Sequence, residues 1–210
     1  MSLKNRLKIG IILSTIVLGC FLGEILFEIL VIIHILSILE VTFQISQASI
    51  TPRDKAKWFS YYILSIVPLT FSLVFLRPRD TLLWTSLLIN VTNDVMQFLW
   101  GKYCPNWFIS KRKIGIISPQ KTFRGYFLGI STSVIFLHQI VSVNYILLFV
   151  LLILASLGDL WLSFLKRKLG IKHYGTMLDS HGGITDREDS FLFSTPFLVF
   201  YSHYVQPCLI

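Results

Sequence analysis

The sequence predicts an all-α integral membrane protein, a polytopic helical bundle of about seven transmembrane helices. Three observations carry this reading. Of 210 residues, 54% are hydrophobic and only 14% charged, and mean hydropathy is +0.69, which is about half the charge of an ordinary soluble domain. The apolar residues come in runs near the length needed to cross about 30 Å of hydrocarbon. Runs such as Tyr145 to Leu157 do not alternate, so a closed β-barrel is excluded along with a soluble globule.

Taken in order, the spans fall at 9–23, 25–45, 58–76, 81–100, 123–142, 145–165 and 190–207. Met1 to Lys8 ahead of an apolar run resembles a secretory signal, but no small-residue cleavage site follows, so the first run is read as a membrane segment. Glu24 and Glu28 interrupt the first two spans, which leaves a re-entrant hairpin as their alternative arrangement. No internal repeat or linker divides the chain, so residues 1–210 read as a single membrane domain. Cys20, Cys104 and Cys208 stand far apart, without the spacing of a zinc site or a disulfide framework.

Charge sets the topology. With the N-terminus inside, 17 of the 19 Lys and Arg residues fall on the cytoplasmic side and only Arg77 and Arg79 on the other, as the positive-inside rule requires. The net charge of +8 therefore reads as topology and attraction to anionic lipid, with no need of nucleic acid. The Lys111-Arg112-Lys113 cluster fits a lipid-facing role of this kind. Loops 46–57, 101–122 and 166–189 share that side, and chemistry is expected there.

Two sets of polar residues stand where hydrocarbon makes them expensive. Asn90, Asn93, Asp94 and Gln97 form one helical stripe that Gly101 continues, so the stripe faces the bundle interior. Hydrogen bonding between helices accounts for the amides, whereas an intramembrane Asp points to function. Asp159, Ser163, Lys166 and Arg167 lie along adjoining faces of the sixth span; the two cations also suit a cytoplasmic helix end, but no such rule places Asp159.

The string from His181 to Asp189 is the densest in chemistry. Thr185 and Glu188 have capping-box spacing, which predicts a helix start with Asp186 and Asp189 on one side of its first turn. Two carboxylates so placed can hold a divalent cation. Gly182 and Gly183 allow backbone N–H groups to approach a phosphate, and Arg187 can clamp its oxygens. Upstream, Ser118, Lys121 and Thr122 can bind phosphate, or Ser118-Pro119 can serve as a plain helix start. Glu40 and His34 in the second span have no partner at helical spacing, and packing is the expected role of the histidine.

Ser163-Phe164-Leu165-Lys166-Arg167, Lys172 and His181 to Asp189 together resemble the C-terminal signature of the phosphatidate cytidylyltransferases. Asn93-Asp94, the Ser-Pro-x-Lys-Thr element at 118–122 and Gly158-Asp159 extend the resemblance over about 90–190. Arg124 stands where that family usually has Glu, His173 where Lys-Asp is usual, and Asp179 where Pro or Gly is usual.

The resemblance implies an enzyme that condenses CTP with phosphatidic acid to CDP-diacylglycerol and pyrophosphate, with Mg2+ as the metal. It implies that Asp159 and Asp186, with Asp189 and Asp94, hold metal at the cytoplasmic end of the bundle. Lys166, Arg167, Lys172 and Arg187 would steady the triphosphate, and Ser118, Lys121 and Thr122 a substrate phosphate. His181 would position a phosphate or assist proton transfer. A bacterial inner membrane is expected, since no long transit segment precedes the first span. Another lipid phosphate or isoprenoid-type lipid as acceptor, an inactive lipid-binding scaffold and a transporter are the alternatives. Gly125 and Gly129 allow close helix contact within one chain or between two, so a homodimer stays open.

Overall fold

The computed structural model describes residues 26–76, 80–104, 113–114, 118–171, 174–175 and 183–205. The span expected at 9–23 lies outside them. Among the described residues there are six α-helices: α1 (Leu26–Gln47), α2 (Pro52–Leu76), α3 (Asp80–Tyr103), α4 (Phe123–His138), α5 (Tyr145–Lys168) and α6 (Phe191–Tyr204).

Local chemistry explains where the helices begin and end. The loop expected at 46–57 is mostly helical, because Pro52 suits a first helical position and the Thr51 hydroxyl accepts from the Asp54 N–H at 3.2 Å. Asn144 caps α5 by accepting from the Leu147 N–H at 2.7 Å. That helix stops where Gly170 takes φ +72° and its N–H returns to the Arg167 carbonyl at 3.2 Å, a left-handed ending that glycine adopts without a Cβ clash. Helix α4 ends at His138, four residues before the expected boundary.

One expectation needs correcting: the fold is not purely helical. Lys113–Ile114 pairs antiparallel with β2 (Ser118–Thr122), Lys113 opposite Thr122 and Ile114 opposite Ser118, with an irregularity between them. Numbered in order, Lys113–Ile114 is β1. A short polar segment with Pro119 cannot continue a helix, so its backbone groups pair with the facing strand instead.

Two apolar clusters sit at opposite ends of the bundle. The first joins Leu76 of α2, Leu82 and Ile89 of α3, Leu137 of α4, Leu147 to Leu152 of α5 and Leu198 of α6. The second joins Val41 and Ile45 of α1, Tyr62 and Ile66 of α2, Leu162 and Leu165 of α5 and Leu192 of α6. Each helix thus enters at one end and leaves at the other, so the C-terminal ends of α1, α3 and α5 share a side with the N-terminal ends of α2, α4 and α6. Polar residues of α5 occupy the stretch between its two apolar segments.

The tightest helix contact is between α3 and α4. A Cβ at Gly129 would lie 2.7 Å from Cγ of Gln97 and 2.8 Å from its backbone, and one at Gly125 would lie 2.9 Å from the Gln97 carbonyl. These glycines therefore serve contact within the chain, the first of the two uses the sequence allowed.

Outward faces are apolar: Leu64 is 75% exposed, Phe127 67% and Ile146 79%. A soluble protein does not present such a surface to water, and lipid tails are its natural cover. Three helices, at Phe27–Gln47, Pro52–Leu76 and Tyr145–Lys168, are long and apolar enough to cross a membrane. The polar stripe of α3 lowers its hydropathy, and α4 and α6 run only 16 and 14 residues.

Candidate active site

The shared end of α3, α4, α5 and α6 encloses a cavity of about 490 Å³. Asp94, Gln97, Phe98, Gly101 and Lys102 line it from α3, Lys121 and Thr122 from β2, Gly125 and Tyr126 from α4, Asp159 from α5, and Asp186 and Asp189 from the turn before α6. The four aspartates named from sequence thus share one cavity.

The helical stripe divides between packing and site. Asn90, Asn93 and Gln97 are buried and bonded across the bundle: Gln97 donates to the Asn93 side chain at 2.8 Å and to Ser156 at 2.7 Å, and Ser194 donates to Asn90 at 2.8 Å. Asp94, turned about 100° from Asn93 by the helix, faces the open cavity and accepts from the Ser190 hydroxyl at 2.9 Å.

Two lysines reach two of the aspartates. Lys121 is ion-paired with Asp159, and Lys166 donates to Oδ1 of Asp186 at 2.7 Å. Oδ2 of Asp186 accepts the Gly183 N–H at 3.0 Å. That amide, which the sequence assigned to phosphate, is therefore engaged with Asp186. Gly158 is required beside Asp159, because a Cβ there would run into the Asp189 carbonyl.

Asp189 accepts the Ser190 N–H at 2.9 Å. Burial pushes its carboxyl above the ordinary range, against the opposing pull of Lys121 and Lys166. Burial likewise draws the Lys121 ammonium below its usual value, opposed by Asp189 and Asp94.

The remaining named residues are placed less centrally. Thr122 lines the cavity, but its hydroxyl caps α4 by accepting the Gly125 N–H at 3.3 Å. Ser163 is buried on α5 away from the lining. Arg167 is exposed and donates to the Ile171 carbonyl at 3.4 Å, and Arg187 is exposed as well; neither lines the cavity. Adjacent positions on a helix face directions about 100° apart, which separates Arg167 from Lys166. The side chain of Ser118, and Lys172, His181, Gly182, His173 and Asp179, lie outside the described residues.

Arg124, the departure in the upstream motif, is buried and turned to the end of α3, where Nη2 donates to the Gly101 carbonyl at 3.1 Å. A cation at a helix C-terminus satisfies the last carbonyls and their dipole.

The expected capping box does not form. Thr185–Arg187 is a 3-10 turn, and α6 begins five residues later than that box predicts, at Phe191. The partners come from α1 instead. Glu40 accepts the Thr185 hydroxyl at 2.7 Å and the Thr185 and Ile184 N–H groups at 2.9 and 3.3 Å. His34 pairs with Glu188 at 2.5 Å and bonds Thr70 at 2.9 Å, more than the packing role expected of it. A polar side chain in a span demands a partner from elsewhere, and that demand was the available signal for both.

Whether the residues fit a divalent cation follows from the charges. Four carboxylates meet Lys102 and Lys121 there, with Lys166 on Asp186, and a divalent cation would offset the carboxylate charge that opposes a triphosphate. Among the described residues no three His, Cys, Asp or Glu side chains form a closed metal cage, since lysines stand between the aspartates. The donor set, all hard oxygen, suits Mg2+, which keeps several waters and takes few carboxylates.

Fold and cavity define a helical membrane protein with a charged cavity at one end of its bundle. The chain matches the model of the cytidylyltransferase family over residues 4–205, and it belongs to that family. It is 41% identical over 110 residues to the phosphatidate cytidylyltransferase of Bacillus subtilis, covering 48% of this chain and 41% of that one. It is 39% identical over 127 residues to that of Staphylococcus aureus (56% and 46%), and 32% identical over 156 residues to that of Rickettsia bellii (65% and 66%). The matched stretch spans less than half the length of the Bacillus and Staphylococcus proteins and about two thirds of the Rickettsia one.

Proposed function

We propose that this chain transfers a cytidylyl group from CTP to phosphatidic acid, releasing pyrophosphate. The convergence of Asp94, Asp159, Asp186 and Asp189 with Lys121 in one cavity, with Lys166 held against Asp186, carries the reading, and family membership supplies the reaction class. The similar proteins named phosphatidate cytidylyltransferase favour phosphatidic acid as acceptor.

In that reaction a phosphate oxygen of the lipid attacks the α-phosphorus of CTP, and the bond to the β-phosphate breaks as pyrophosphate leaves. No covalent enzyme intermediate is needed, because the acceptor phosphate is itself the nucleophile. Mg2+ would be held by one or two carboxylates from among Asp159, Asp186, Asp189 and Asp94 together with water, and when bound it neutralises phosphate charge and favours the leaving pyrophosphate. Lys121 and Lys166 hold compensating charge over the aspartates and are positioned to swing to phosphate oxygens when substrate enters. Lys102 adds a third cation at the wall.

We further propose seven spans in a bacterial inner membrane, with the cavity facing the cytoplasm. The basic ends of α3 and α5 support that orientation: Lys102, Lys166, Arg167 and Lys168 lie at the same end as the cavity.

The test is incorporation of labelled CTP into phosphatidic acid by the purified chain, with and without Mg2+, with pyrophosphate release measured in parallel. Magnesium-dependent label in lipid is the expected result. Label in a different lipid phosphate moves the acceptor, and phosphatidic acid binding without turnover under any metal rejects the enzyme for a scaffold.

A further inference from the structure

Glu40 stands outside the cavity on a different helix, yet it holds the turn that carries Asp186. Its carboxylate takes three donors from two consecutive residues, Ile184 and Thr185, 144 and 145 positions away in sequence. The first N–H groups of a helical turn have no partner within the turn, and a carboxylate set against them does from outside the work of an N-cap.

The surroundings are shaped to that carboxylate. A side chain on Gly175 or Gly183 would collide with the Glu40 carboxyl group, so two separate loop segments close on it only because both are glycine. Gly183 then donates to Asp186 at 3.0 Å, and Lys166 holds the other oxygen at 2.7 Å. A second tie lies six residues back on α1, where His34 grips Glu188 at 2.5 Å. Helix α1 thus holds the turn on both sides of Asp186.

We propose that Glu40 is a positioning residue, fixing the 183–186 turn so that the Asp186 carboxylate is presented to the cavity. It touches neither substrate nor reacting atoms. The proposal rests on the cytidylyl-transfer reading for its effect on turnover, while its effect on the turn does not depend on that reading.

Glu40→Gln keeps the shape but replaces one acceptor oxygen by an NH2 group that faces donors. Two measurements on the purified full chain in detergent test it. Hydrogen exchange at the Ile184 and Thr185 amides should rise about tenfold or more in the variant. Turnover should fall about 10- to 100-fold, with the KM for CTP moving less than about threefold, because the triphosphate contacts are untouched. Thr185→Ser, which keeps the hydroxyl donor, should behave as wild type, and Thr185→Val should show the same changes at smaller size. The Thr185 pair keeps the test decisive should Glu40→Gln fail to fold.

Unchanged exchange in a folded Glu40→Gln or Thr185→Val chain overturns the proposal. Faster exchange with full turnover overturns it too, reducing Glu40 to a structural tie. A wild-type chain without transfer activity rejects the enzyme reading, and the exchange result then still reports on the turn.

Discussion

Lys166 donates to Asp186 at 2.7 Å across twenty positions of sequence, joining the end of α5 to the turn before α6. Both side chains are almost wholly withdrawn from solvent, and removing one partner strands the other charge in a poor dielectric.

Asp186→Asn should lower cytidylyl transfer by about a thousandfold and Lys166→Met by about a hundredfold. The double variant should lose less than the product of the two, because the pair acts as a unit. Steady-state rates of the three variants with labelled CTP decide it, and strictly multiplicative losses would separate the two residues.

Arg167 tests the difference between neighbours. The sequence groups it with Lys166 as a triphosphate cation, whereas the fold turns it outward to the Ile171 carbonyl. Arg167→Gln should therefore lower turnover several-fold at most, far less than Lys166→Gln in the same assay. Equal losses would return Arg167 to the cavity.

Packing of α3 on α4 should depend on Gly129. Gly129→Ala places a Cβ under 3 Å from the Gln97 backbone, and overpacking of this kind costs about 1–3 kcal/mol. Thermal unfolding in detergent should report a lowered midpoint, while alanine at Gly101, whose nearest neighbour would be 3.5 Å away, should be tolerated. Equal melting of the two variants would contradict the close contact.

Asp189 should give metal-free protein an unusual pH dependence. Its carboxyl is raised in the folded chain by burial, so the folded state binds the proton more tightly than the unfolded state, whose value is about 3.9. Stability from this group is greatest at acid pH and declines as pH rises from about 4 through the raised value. Melting with a chelator should show that decline, Mg2+ should offset it at the upper end, and Asp189→Asn should flatten it. A profile that the variant leaves unaltered would discount the group.

The class of fold was legible because hydropathy is additive along a chain: the runs at 58–76 and 145–165 become α2 and α5, with boundaries moved by Pro52 and Lys168. The aspartates were legible for a related reason, since a carboxylate in an apolar run has few structural excuses. Helix ends were harder to read. Thr185 and Glu188 have the spacing of a capping box, but Glu40 and His34 compete for those same groups from another helix.

Sequence alone determined the helical membrane class and the aspartates that meet, because each depends on local composition or on short spacing. Only the tertiary structure decided that Arg167 turns away while Lys166 turns in, that Gly125 and Gly129 serve contact within the chain, and that Glu40 holds the turn beside Asp186. Those are contacts between residues distant in the chain, and their geometry exists only once the helices have packed.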